Sequence, residues 1–81
     1  MSAAPPGQLL WRCRRGMKEL DLLLQGWLEQ RYPGATEAER ARFEAFLALP
    51  DPQIAGLLLA HAAPADPNFV PLVDQLVQFR H

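Results

Sequence analysis

The chain has one cysteine in 81 residues, so no disulfide can form within it, which suits a reducing compartment. No stretch approaches the roughly eighteen consecutive apolar residues that a membrane span needs. The two histidines, His61 and His81, lie far from Cys13, so no cluster reaches the ligand count of a metal site. Neither a Gly-x-Gly-x-x-Gly run nor a P-loop is present, which leaves the chain without a recognisable dinucleotide cradle. No nucleophile, base and oxyanion set can be assembled, which argues against an enzyme. The opening Met-Ser-Ala-Ala-Pro-Pro-Gly has no basic n-region and no apolar h-region, and it is too short and uncharged for a transit peptide. Residues 1–7 are therefore expected to form a flexible tail, and the protein to be cytoplasmic.

What is present points to one small helical domain over residues 8–81. A chain this size has room for a single core and buries roughly 60% of its unfolded surface. Its apolar fraction of 49% is too high for a disordered segment. Eight prolines and five glycines imply short elements with sharp turns. The net charge of −1 conceals an asymmetry. Residues 1–18 carry Arg12, Arg14, Arg15 and Lys18 with no acid, while residues 19–81 carry nine acids against Arg31, Arg40, Arg42 and Arg80. A basic tip on an acidic body suggests a directed electrostatic contact. The basic run is too short, on too acidic a chain, for a nucleic-acid footprint.

Every periodic segment repeats at three and four residues and none alternates at two, so the expectation is an all-α bundle of five short helices. The first spans about Gln8 to Arg14, with Leu9, Leu10 and Cys13 on its apolar edge and Gly16 free to take the positive φ of a closing turn. The second spans about Met17 to Arg31. Its stripe of Met17, Leu20, Leu23, Leu24, Trp27 and Leu28 faces the core, and Glu19, Leu22 and Gly26 face away. Tyr32-Pro33-Gly34 stops it. Thr36 and Glu39 have capping-box spacing at the start of the third helix, which buries Phe43, Phe46 and Leu47 and ends at Pro50. Asp51 is expected to cap the fourth helix, with Pro52 in its first position and Ile54, Leu57, Leu58 and His61 inward. For the fifth, Asn68 as cap and Phe69 as start keep Pro71 in the first turn, where its missing N–H is harmless. Leu72, Val73, Leu76, Val77 and Phe79 supply its apolar contacts.

The most informative run is Trp11-Arg12-Cys13-Arg14-Arg15-Gly16-Met17-Lys18-Glu19-Leu20-Asp21. By itself, Arg15-Gly16-x-x-Glu19 reads as a helix–turn–helix joint with a surface ion pair worth about 0–1 kcal/mol. It also reads as a recognition patch. Gly16 leaves room for a partner's close approach, Arg15 offers a planar fork to a carboxylate or phosphate, and Glu19 can orient Arg15 or accept from a partner donor. Leu22, apolar with no packing reason, extends that patch. Arg12, Arg14 and Lys18 are either a solvated rim or charges that steer association. Trp27 belongs to the core, while Trp11 either leans on the second helix or joins the patch. Cys13 is a buried small residue more than a nucleophile, although nearby arginines lower thiol pKa values. Asp51 and Asp66 read as caps or turn residues.

This order of residues resembles the signature of the small FAD assembly factors of succinate dehydrogenase. The resemblance continues through Leu47 to Ile54, with Asp51-Pro52 at its centre, and through Pro64-Ala65-Asp66, covering nearly the whole chain from about Leu9. It implies a compact helical bacterial protein that binds the flavoprotein subunit and promotes its covalent flavinylation. It also implies that Arg15, Gly16 and Glu19 carry the function. Such a helper would hold the FAD domain and a mobile capping domain where a partner histidine can attack the flavin, with proximity as its contribution. The fumarate reductase flavoprotein is a second expected client. The partner-binding set on this reading is Trp11, Arg12, Arg14, Arg15, Gly16, Lys18, Glu19 and Leu22. The chain would act on FAD attachment to its client, bind no FAD permanently, bind no nucleic acid, insert in no membrane and be a monomer when free. The competing reading is a regulatory module, antitoxin-like or an adaptor, with no role in flavin chemistry.

Overall fold

Periodicity at three and four becomes five helices in the computed structural model, which describes residues 7–79. They are α1 (Gly7–Arg12), α2 (Lys18–Gln30), α3 (Glu37–Leu47), α4 (Asp51–Leu59) and α5 (Val70–Val77), with single 3₁₀ turns at Tyr32–Gly34 and Pro67–Phe69. No strand occurs among the described residues. The expected tail lies outside the described residues except for Gly7, which opens α1.

The α2 helix is the centre of the bundle, packing against α1, α4 and α5. Its stripe of Leu20, Leu23, Leu24, Trp27 and Leu28 is buried and meets Leu9, Phe43, Phe46, Leu47, Ile54, Leu58, Leu72 and Leu76 in one core. Trp27 stacks on Phe43 with ring centroids 4.4 Å apart and meets Tyr32 edge-on at 6.3 Å. Its indole N–H donates to Gln75 Oε1 at 2.8 Å, so the largest core side chain leaves no unpaired donor. The capping box forms as the spacing predicts. Glu39 N–H donates to Thr36 Oγ1 at 3.1 Å, and Thr36 N–H donates to Glu39 Oε1 at 2.8 Å. That second bond holds the Glu39 carboxyl below its ordinary pKa.

Several expectations are corrected. Met17 precedes α2 in extended geometry and stays exposed, because the chain reaches the helix directly from the Gly16 turn. Leu10 is exposed, since a helix of this length turns only Leu9 and then Cys13 toward the core. Gly26 does not face solvent. It lies on the flank of α2, and a Cβ there would sit 2.8 Å from Phe79 Cγ. His61 is exposed with φ +58°, closing α4. Ala62 N–H, just beyond it, returns to Gly56 O at 2.9 Å. Asp51 is the first residue of α4 and caps nothing; Pro50 is the cap and Pro52 occupies the second position. At the last joint the cap is Asp66, whose Oδ1 accepts Asn68 N–H at 2.9 Å. A 3₁₀ turn follows and α5 starts at Val70, so Pro71 still loses no helical bond.

Candidate functional site

The joint between α1 and α2 is built from residues 13–17. Cys13 N–H donates to Leu9 O at 3.0 Å and Arg14 N–H to Trp11 O at 3.0 Å, closing α1. Gly16 then takes φ +80°, a conformation that L side chains resist, with open space where a Cβ would point. The turn is held from α2: Asp21 Oδ1 accepts Arg15 N–H at 2.7 Å. Cys13 beneath it is fully buried, and burial pushes its thiol up to about 12. The Arg15 and Arg12 charges pull the other way, and desolvation outweighs them.

Two of the four cations in this run fold back onto α3. A helix leaves its last carbonyls without intrahelical donors, and each of those of α3 has found one. Arg12 Nη2 donates to Glu44 O at 3.0 Å. Ala48 N–H donates to Ala45 O at 3.2 Å and Leu49 N–H to Phe46 O at 3.1 Å. Arg15 Nη2 donates to Leu47 O, and also to Leu49 O at 3.2 Å. Positive charge at a helix C-terminus is favoured by the helix dipole as well. Arg15 Nε lies 3.3 Å from Asp51 Oδ1, an ion pair without a hydrogen bond. With its side chain only 17% exposed, Arg15 is clamped between the α1–α2 joint and the α3–α4 joint. Its fork is occupied by this chain's own carbonyls, and Glu19 plays no part in orienting it.

The other two cations are free. Among the described residues neither Arg14 nor Lys18 forms an ion pair or a side-chain hydrogen bond, and both are exposed. They line a shallow open groove of about 650 Å³ together with Trp11, Gly16, Asp21, Leu22 and Gln25. Trp11 is 74% exposed and Leu22 is 49% exposed, a large apolar area to leave in water. A second hollow of about 410 Å³ adjoins the first through Trp11, Arg14 and Gln25 and reaches Leu10 and Glu29. Glu19 is exposed beside Leu22, on the shoulder of the groove and not among the residues lining it.

The structure thus brings together Trp11, Arg14, Gly16, Lys18 and Leu22, sets Glu19 next to them, and turns the Arg12 and Arg15 guanidinium groups inward. Sequence reasoning missed Asp21 and Gln25, although a helical signal for them exists. Counting from Lys18 at about 100° per residue, Asp21, Leu22, Gln25 and Glu29 share its face. It also missed Asp51 as the ion partner of Arg15, for which no local pattern exists because the two are far apart in the chain.

Comparison with known proteins identifies relatives over most of the chain. Residues 7–80 match the family described as flavinator of succinate dehydrogenase. An FAD assembly factor SdhE from Coxiella burnetii is 35% identical over 71 residues, which is 88% of this chain and 87% of that protein. One from Methylococcus capsulatus is 41% identical over 70 residues, 86% and 84% of the two chains. One from Legionella pneumophila is 42% identical over 57 residues, 70% and 72%. No solved structure matches the chain.

Proposed function

This chain belongs to the family of flavinators of succinate dehydrogenase, and from that premise we propose how its surface serves that task. It is an assembly factor for flavinylation of the dehydrogenase, and the family match favours this over the regulatory-adaptor reading. The docking surface is the outer side of the α1–α2 joint. Trp11 and Leu22 supply apolar contact, Arg14 and Lys18 supply charge, Gly16 allows close backbone approach, and Glu19 accepts from a donor on the client. Arg12 and Arg15 belong to the same surface by holding its shape from behind. The observation that carries this reading is the large exposed apolar area of Trp11 and Leu22, set beside two unpaired cations and an open glycine turn. That mixture suits the core and rim of a protein interface.

The client is the unassembled flavoprotein subunit, with the fumarate reductase flavoprotein as a second. By gripping it, the chain keeps the client's FAD and the acceptor histidine in a reactive arrangement. The covalent chemistry uses client and cofactor groups, and this chain contributes proximity and no catalytic group of its own. FAD stays with the client. The groove is open, and the first turn of α2 carries the carboxylates of Glu19 and Asp21, which repel a pyrophosphate where a dinucleotide site presents bare amides. The same reading makes the free chain a cytoplasmic monomer that binds no nucleic acid; among the described residues no helix is long and apolar enough to cross a membrane.

In-gel flavin fluorescence of the dehydrogenase subunit tests the proposal directly. Cells without this protein should lose most covalent flavin on that subunit. Glu19→Ala and Gly16→Arg should fail to restore it, while Glu37→Ala, at the exposed start of α3, should restore it fully. Equal rescue by all three variants would remove the α1–α2 joint from the function. Purified chain should be colourless and show no tight binding of added FAD by calorimetry; saturable tight binding would instead make it a flavin carrier.

A further inference from the structure

The geometry assigns Asp21 a positioning role: its carboxylate fixes the backbone of the Gly16 turn in the shape that the client meets. This rests on the reading of that turn as the docking surface. Asp21 stands in the first turn of α2, where a carboxylate ordinarily serves its own helix. Here α2 has no side-chain cap, and Asp21 Oδ1 reaches six residues back to Arg15 N–H at 2.7 Å. That amide immediately precedes Gly16, whose φ of +80° has no side chain to enforce it and open space where a Cβ would point. Among the described residues this is the hydrogen bond that crosses the turn; Arg14 N–H to Trp11 O and Asp21 N–H to Met17 O each close one side only.

Arg15 is therefore fastened at two points. Its guanidinium is anchored on the carbonyls of Leu47 and Leu49, and its amide is anchored on α2. The first anchor sets where the joint lies on the bundle, and the second sets the direction in which Gly16 leaves it. A glycine released from that bond samples both halves of its conformational map, and the client must then select one shape from many. Asp21 also lines the groove, so a direct contact between its charge and the client is the rival explanation, and the two make different predictions.

The test uses the full chain with Asp21→Ala and Asp21→Asn, three readouts and the apo flavoprotein subunit as probe. Amide hydrogen exchange at Arg15 reports the bond, calorimetry reports client affinity, and thermal melting reports the fold. Asp21→Ala should speed Arg15 exchange and weaken client binding by about tenfold, the size of a lost charge-assisted bond. Asp21→Asn keeps an acceptor oxygen without the charge and should restore both to within about threefold of wild type. Fast Arg15 exchange with wild-type affinity would overturn the inference. So would an Asn variant whose Arg15 amide is protected but whose affinity is lost, since that outcome assigns the charge to direct contact. If Asp21→Ala does not fold, the Asn variant decides alone: protection and affinity retained together support the role, and protection without affinity overturns it. Gly16→Arg and Glu19→Ala run alongside. If both bind the client as wild type does, the docking-surface reading itself has failed, whatever Asp21 does.

Discussion

The two tryptophans and the four clustered cations divide between the inner and outer sides of the α1–α2 layer. Trp27 is buried, stacked on Phe43 and hydrogen-bonded to Gln75. Trp11 stands 74% exposed with no ring partner among the described residues. Arg12 and Arg15 donate to the end of α3, while Arg14 and Lys18 point charge into solvent. Residues of one type, within one short stretch of sequence, thus do opposite work. The inner side answers to the fold, where desolvated groups must find partners. The outer side retains apolar area and unpaired charge that the fold has no use for, which the proposed docking of a client would account for.

This division can be broken most severely at Trp27. Trp27→Ala should cost about 3–5 kcal/mol of stability, since it deletes a close-packed core ring, and the melt should show a chain at or past its unfolding threshold. Trp11→Ala should leave the melting temperature nearly unchanged. A comparable loss in both variants would erase the distinction between the two sides.

Arg15→Ala ranks next. It strips donors from Leu47 O and Leu49 O and leaves Asp51 without its partner, a loss of about 1–3 kcal/mol, visible in chemical denaturation. Arg14→Ala, by contrast, should stay within about 0.5 kcal/mol of wild type. An Arg15 variant as stable as wild type would show that its fork is spare and available to a partner after all.

Cys13 sharpens the inner side through pH. Its thiol, raised by burial from the usual 9.0 to about 12 in the folded chain, favours the neutral form more strongly when folded than when unfolded. Its contribution to stability is therefore complete below pH 9 and is lost as pH rises from 9 toward 12. Cys13→Ala should flatten that alkaline decline. Native chain at pH 8 should react with iodoacetamide far more slowly than chain unfolded in urea, and equal rates would contradict the burial.

The smallest effect belongs to the free cations. Arg14→Ala with Lys18→Ala should slow association with an acidic client severalfold at low salt. The difference should fade at physiological ionic strength, where screening shortens to about 8 Å. Stopped-flow association across a salt series measures it, and rates indifferent to salt would make both charges solvated bystanders.

Much of this was legible in the chain because it is local. The α2 stripe, the Thr36–Glu39 box, the positive φ at Gly16 and the exposure of Glu19 and Leu22 all follow from spacing within a few residues. Errors arose where local rules left a choice. Asp51 had the spacing of a cap, yet it sits opposite Arg15, which reaches across from another helix joint. Gly26 lies on the flank of α2, and only the path of α5 brings Phe79 against it. Met17 and Leu10 are apolar by composition, but Met17 lies before α2 begins and Leu10 points off the core-facing edge of α1.

By itself, then, the sequence determined an all-α bundle organised on α2, its main stops and the Thr36 capping box, and a signature segment that marked the joint between the first two helices. Helical periodicity and turn chemistry act over short distances and need no knowledge of the rest of the chain. Tertiary structure alone decided which arginines became helix caps and which stayed free, how Asp21 and Arg15 fasten the turn, and that Trp11 stands in an open groove. Those outcomes depend on which unpaired carbonyl, carboxylate or ring the packing brings within a few ångströms, and the end of α3 lies some thirty residues away from the cations that complete it.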